Sequence, residues 1–133
     1  RGKSLIIVDD DKVLNSLIKK YIEKNFPSIK VFQAFDGFEA GSLMAKERPG
    51  LVLLDLDLPG VDGFSLCKKI KRDVMFKNPF IVVITALKDV DLAEKVSDLG
   101  SNYFLTKPLN MEQVGAIVNQ WVGMATDKAN DES

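Results

Sequence analysis

The chain has 133 residues, of which 46% are hydrophobic and 28% charged, and its formal net charge is -1. This is the size of one globular domain that needs no disulfide or metal as a staple. The charge balance excludes both the basic surface of a nucleic-acid binder and the acidic excess of a disordered chain. A single cysteine, Cys67, rules out an internal disulfide and suits a reducing, cytoplasmic compartment. The chain contains no histidine, so a histidine base, a histidine metal ligand and a phosphohistidine on this chain are all excluded. Its chemistry must run on carboxylates, lysine or hydroxyls.

Short runs rich in Val, Ile and Leu alternate with segments of helical period. Residues 5–8 form a compact apolar run ending in Asp9-Asp10-Asp11. Val13, Leu14, Leu17, Ile18, Tyr21 and Ile22 then have the spacing of one buried helical face, broken at Phe26-Pro27-Ser28. Residues 29–34 read as a second strand, and a second helix runs from Asp36-Gly37 to about Glu47, stopped by Arg48-Pro49-Gly50. A third strand at 51–54 ends in Asp55. Pro59-Gly60 and Asp62-Gly63 mark a turn-rich loop before a third helix lined by Phe64, Cys67, Ile70 and Val74.

A fourth strand at 80–84 ends in Thr85-Ala86, and Leu92, Ala93, Val96 and Leu99 predict a fourth helix closed by Gly100. A short fifth strand at 103–106 precedes Lys107-Pro108. Val114, Ile117, Val118, Trp121 and Val122 form the buried stripe of a last helix. The domain is therefore expected to occupy residues 1–123, with 124–133 a polar, aperiodic and disordered tail. The apolar runs are strand-sized, too short to span a bilayer, and no signal peptide precedes the first strand. The chain opens at Arg1 without Met, and no DNA-binding or enzymatic domain is expected in the stretch after Trp121. It reads either as a stand-alone protein or as a piece cut from a larger one.

Five strand–helix units in succession predict an α/β fold with a five-stranded parallel sheet and helices on both faces, because parallel strands need crossover connections. Nearly all-apolar strands agree, since such strands are covered on both sides. The polar residues then fall at one edge. Asp9 and Asp10 follow strand one, Asp55 ends strand three, Thr85 ends strand four and Lys107 follows strand five. The carboxyl ends of the strands are where open α/β sheets bind ligands.

Converging carboxylates repel: two unit charges about 4 Å apart cost roughly 4 kcal/mol at an effective dielectric near 20. A hard divalent cation relieves that cost, and Mg2+ accepts a few carboxylates together with water and phosphate oxygens. An ionised carboxylate nucleophile, a metal, an ammonium and a hydroxyl are together what phosphoryl transfer to a carboxylate requires. Asp55 is the candidate nucleophile, since it stands alone at the end of a central strand.

Five fragments now carry a family likeness: Leu5-Ile6-Ile7-Val8-Asp9-Asp10-Asp11, Ala34-Phe35-Asp36-Gly37-Phe38-Glu39-Ala40, Leu53-Leu54-Asp55-Leu56-Asp57-Leu58-Pro59-Gly60-Val61-Asp62-Gly63, Val83-Ile84-Thr85-Ala86 and Phe104-Leu105-Thr106-Lys107-Pro108. In this order and spacing, over residues 4–121, the chain resembles the receiver domain of two-component response regulators, of the chemotaxis-regulator type. The resemblance implies a flavodoxin-like, doubly wound sheet of order 2-1-3-4-5. It implies that Asp55 is the phosphoacceptor and that Asp9, Asp10 and the backbone carbonyl of Asp57 complete a site for Mg2+ or Mn2+ with Asp55. It makes Thr85 the switch hydroxyl, Lys107 the contact to a phosphoryl oxygen, often before a cis proline, and Phe104 the rotating aromatic.

The implied partners are a sensor histidine kinase or phosphotransfer protein and a downstream output domain or protein. The resemblance implies no direct contact with nucleic acid or membrane. It implies a monomer, or a dimer through the face made by the fourth helix, the fifth strand and the last helix. The domain would be a switch that catalyses only its own phosphorylation and dephosphorylation, either free-standing or part of a regulator or hybrid kinase.

This sequence departs from the pattern in places. Phe104 lacks the phenolic hydroxyl common there. Asp57 adds a carboxylate and Leu87 is apolar at the two positions that influence acyl-phosphate lifetime in the family.

Plainer roles stand beside these. Asp9 and Asp10 would serve as helix caps, and Asp11 above all. Asp57 would be a solvated loop residue and Phe104 plain core, while Cys67 and Trp121 read as packing. The alternative enzyme is a phosphohydrolase of the haloacid dehalogenase type, whose Asp-x-Asp nucleophile motif Asp55-Leu56-Asp57 imitates. Its metal acids follow the lysine, however, and this chain has no room for a cap domain. A flavin-binding flavodoxin would need a phosphate loop after strand one, where this chain has three aspartates.

Overall fold

The computed structural model describes residues 3–86, 94–95 and 98–132, with side chains described as far as Met124. Strand β1 (Ser4–Val8) leads into α1 (Lys12–Asn25), whose N-cap Asp11 accepts from the Leu14 amide at 3.1 Å. Pro27 offers no amide to continue that helix. Strand β2 (Lys30–Ala34) precedes α2 (Gly37–Glu47). Asp36 caps α2 by accepting from Glu39 N, while the Glu39 carboxylate reaches back to Phe35 N at 2.9 Å. Arg48, in the left-handed region at φ 47°, ends α2 before Pro49.

Strand β3 (Leu51–Asp55) is followed by α3 (Gly63–Arg72), capped by Asp62, and by a single 3-10 turn at Val74–Phe76. Strands β4 (Phe80–Thr85) and β5 (Tyr103–Thr106) precede the last helix, α4 (Met111–Glu132).

The five strands form one parallel sheet in the order β2-β1-β3-β4-β5. Chain alternation divides the strand residues between two cores. Leu5, Ile7, Leu51, Leu53, Val82 and Ile84 face Ile18 and Ile22 of α1 and Val114, Val118 and Trp121 of α4. Ile6, Val8, Val52, Leu54, Ile81 and Val83 face Ala40 and Met44 of α2 and Cys67 and Ile70 of α3. Burying each such side chain contributes about 1.5–3 kcal/mol, so the two-sided sheet carries most of the stability. β1 connects outward to β2 on one side and neighbours β3 on the other, which puts the reversal of strand order between β1 and β3.

Two expectations about buried helix faces are corrected. Val13 and Leu17 are 72% and 53% exposed, so the buried stripe of α1 is narrower than its apolar spacing predicts, and Asn15 lies in it instead. Val74 is not on the buried face of α3 but in the 3-10 turn beyond it, 90% exposed. Helix α4 extends to Glu132 over the stretch 124–132, which the polar composition reads as a tail. The fourth helix expected through Leu92, Ala93 and Val96 lies outside the described residues, as does Leu87. Leu99 is buried, and Gly100 takes the φ of +84° that a helix-ending glycine adopts readily. Among the described residues, no helix is long and apolar enough to cross a membrane.

Candidate functional site

The carboxyl edge of the sheet collects the polar residues, each placed by the end of its strand. Asp9 directly follows β1, Asp55 is the last residue of β3, Thr85 the last of β4, and Lys107 directly follows β5. Asp9, Asp55 and Thr85 are buried at 2%, 3% and 0% exposure, whereas Asp10 and Asp57 are exposed. Carboxylate oxygens of Asp9, Asp10 and Asp55 lie within 4.8 Å of one another. The Lys107 ammonium sits between two of them, 3.0 Å from Asp9 Oδ2 and 3.0 Å from Asp55 Oδ2. The loops that carry these groups are tied to the strands: Lys107 N donates to Thr85 O at 2.9 Å and Leu56 N to Ile84 O at 3.2 Å. The peptide between Lys107 and Pro108 is cis.

Asp9 and Asp55 each have one oxygen committed to the backbone and one turned to the centre. Asp11 N donates to Asp9 Oδ1, and Asp57 N donates to Asp55 Oδ1, both at 2.9 Å. These bonds fix the two rotamers, so the Oδ2 atoms point at the same place. Burial pushes the Asp55 carboxyl above the usual carboxylate range; the Asp57 amide and Lys107 pull it down, and the Asp9 charge pushes it further up. For Lys107, burial pulls down, but its bonds to Asp55 and Asp9 and their charges outweigh that and hold the ammonium charged. The lysine thus compensates two buried carboxylates only in part.

A cation fits what remains. Asp9 Oδ2 is buried and meets the ammonium as an ion pair, but among the described residues it accepts no well-directed hydrogen bond. Its spare lone pairs, with Asp10 and Asp55 adjacent, make an all-oxygen donor set of the kind hard divalent ions take.

Of the residues singled out from sequence, the structure brings together Asp9, Asp10, Asp55 and Lys107 by contact, and Thr85 by strand position. Asp57 joins through its amide, while its side chain is exposed. Phe104 is half-buried, paired in register with Val83 and packed against the core on the α2 and α3 side. Cys67 and Trp121 are buried packing residues, and burial pushes the Cys67 thiol up to about 11. Sequence reasoning missed Asn15 and Gln33, which brace the backbone beneath Asp9. The available signal was a polar residue at a position where the period of α1, through Ile18 and Ile22, requires core.

Comparison with known proteins agrees with this geometry. Residues 5–119 match the family model of the response regulator receiver domain. The chain is 29% identical over 126 residues to the sporulation initiation phosphotransferase F of Bacillus subtilis, covering 95% of this chain and 98% of that protein. It is 33% identical over 114 residues to the DNA-binding dual master transcriptional regulator RpaA of Synechocystis, covering 86% of this chain but only 46% of the regulator. Among solved structures, the signal receiver domain of a DNA-binding response regulator from Colwellia psychrerythraea superposes with a TM-score of 0.86 at 31% identity, covering 91% of this chain and 98% of that one. The cluster of Asp9, Asp10 and Asp55 resembles the metal site of such domains. Motif order, sheet topology and these likenesses coincide, and the chain belongs to the response regulator receiver domain family.

Proposed function

We propose that this receiver domain is a phosphorylation switch in which Asp55 accepts a phosphoryl group from the phosphohistidine of a sensor histidine kinase or phosphotransfer protein. The observation that carries the proposal is the convergence of Asp9, Asp10 and Asp55 within 4.8 Å, with the Lys107 ammonium 3.0 Å from two of them. Asp55 Oδ2 attacks phosphorus in line, the P–N bond to the donor imidazole breaks, and the imidazole takes its proton from solvent. Asp9, Asp10, Asp55 and the Asp57 carbonyl would hold a Mg2+ or Mn2+ ion, which when bound supplies positive charge to the transferring oxygens.

Asp57 N, donating to Asp55 Oδ1, keeps the nucleophile oriented. Lys107 then takes a phosphoryl oxygen in place of the Asp55 oxygen it now holds, and the Thr85 hydroxyl takes another. Loss of the lysine's present ion pairs and the inward turn of Thr85 shift a pre-existing equilibrium that Phe104 reads out.

The readout face is the one that carries β5 and α4, and it engages an output domain or protein directly or by dimerisation. The domain works in the cytoplasm, makes no direct contact with nucleic acid, and catalyses only its own phosphorylation and slow dephosphorylation. Intact mass after incubation with acetyl phosphate and Mg2+ tests this reading. One added phosphoryl group is expected, absent with chelator and absent in Asp55→Asn. No adduct, together with no Mg2+-dependent change in thermal stability, overturns it.

A further inference from the structure

Asn15 is fully buried at the amino-terminal end of the buried face of α1, in the helix's first turn and ahead of Ile18 and Ile22. Asparagine is a weak helix former, and a buried amide is costly unless all its polar atoms are paired. Here they are. Nδ2 donates to Asp9 O at 3.0 Å and to Ala34 O at 3.2 Å, with Ile7 O at 3.5 Å, and Oδ1 accepts from Gln33 Nε2 at 3.0 Å. Only this orientation of the amide works, because the three backbone carbonyls accept and cannot donate.

The location gives the bonds their meaning. The ladder between β1 and β2 ends at Val8 and Ala34, and the chain then turns away to carry Asp9 and Asp10. Asp9 N still reaches Ala34 O at 3.1 Å, and Asn15 bonds that same carbonyl and the carbonyl of Asp9. The peptides on both sides of Asp9 are therefore fixed, one by β2 and one by α1. The side chain in between has one oxygen bound by Asp11 N, so its other oxygen has a defined position facing Asp10, Asp55 and Lys107. Gln33 sets the direction of the asparagine amide from the edge strand.

We infer that Asn15, oriented by Gln33, is a positioning residue that presets Asp9 as a cation ligand before any ion arrives. The inference rests on the metal-binding reading of the Asp9, Asp10 and Asp55 cluster given above. Groups one step removed from a metal typically change affinity 10–100-fold when lost.

The test compares the wild-type protein with Asn15→Leu, nearly isosteric but without polar atoms, and Gln33→Leu, which removes only the orienting bond from a half-buried strand position. Two quantities are measured: Mg2+ affinity by calorimetry, and residue-resolved amide exchange in metal-free buffer. Asn15→Leu is expected to weaken Mg2+ binding at least about tenfold. It should also speed exchange at Asp9 and Asp11 selectively, leaving central β3 amides such as Leu53 protected. Gln33→Leu should move both quantities in the same direction by less, and it remains informative if Asn15→Leu fails to fold. Unchanged Mg2+ affinity in a folded variant overturns the inference, as does a uniform rise in exchange across the sheet, which marks a purely structural amide. If the wild-type protein itself binds no Mg2+, the metal-binding reading fails first, and the inference falls with it.

Discussion

Replacing Lys107 with methionine keeps most of the side-chain volume and deletes the charge shared by two buried carboxylates. The ammonium is 3.0 Å from both Asp9 Oδ2 and Asp55 Oδ2, with side-chain exposures of 21% for the lysine and 3% and 4% for the acids. Without it, carboxylate oxygens no more than 4.8 Å apart repel by about 3.5 kcal/mol at an effective dielectric of 20. Removing one partner of a buried ion pair costs a similar amount, about 3–5 kcal/mol.

In metal-free buffer at neutral pH the variant should therefore lose about 3 kcal/mol in urea unfolding. The pH dependence follows from the signs. Asp55, already raised by burial, is raised further, and an acid with a raised folded pKa contributes stability that is present at low pH and lost as pH rises through that value. The deficit should thus shrink towards acid and widen towards neutrality. In the wild-type protein the lysine, itself raised, keeps its contribution through neutrality and loses it only in the alkaline range where it deprotonates. Saturating Mg2+ should recover much of the loss, since a ligand at 100 times its dissociation constant stabilises by about 2.7 kcal/mol. A Lys107→Met protein as stable as wild type at neutral pH without metal would refute the claim that this ammonium holds the carboxylates together.

Cys67, fully buried with its thiol pushed up to about 11, should react with a thiol-exchange reagent at pH 8 only as fast as the protein unfolds; rapid labelling of the native protein would contradict its packing role. Gly63 lies against the backbone of Leu56, so that a Cβ there would collide with Leu56 O and Cα. Gly63→Ala should cost at least about 1–3 kcal/mol by chemical denaturation, because the obstructing atoms are main chain and cannot rotate aside; a neutral result would mean that the loop after Asp55 shifts freely. Asp57, exposed but with its amide on the Asp55 carboxylate, should set the lifetime of the acyl phosphate, and an unchanged decay rate in Asp57→Asn excludes that role.

The sheet and its polar edge were legible because a strand covered on both faces leaves few other arrangements for runs such as Leu51, Val52, Leu53 and Leu54, and because a strand's end fixes where the next residue points. Helix faces were less legible. Val13 and Leu17 continue the apolar spacing of α1 yet face away from the sheet, since spacing alone does not say how wide a stripe the sheet can cover. Asn15 was hidden by the converse error: a polar letter in a helix reads as solvent-facing unless the carbonyls at the divergence of β1 and β2 are known to need donors. The spacing of Val74 continues Cys67 and Ile70 and so reads as part of α3, but Asp73 caps a new turn there and redirects it outward.

Trp121, the one tryptophan, packs against Gly50 and lies 5.8 Å from the Lys3 ammonium, at the amino ends of β3 and β1. Five-residue strands rise about 3.3 Å per residue, so its indole stands roughly a strand length from the aspartates at the opposite edge. Its emission is therefore insulated from direct quenching by an ion or phosphoryl group at Asp55. A change in that emission on phosphorylation would therefore report a rearrangement relayed through the sheet and α4 rather than the chemistry at Asp55 itself.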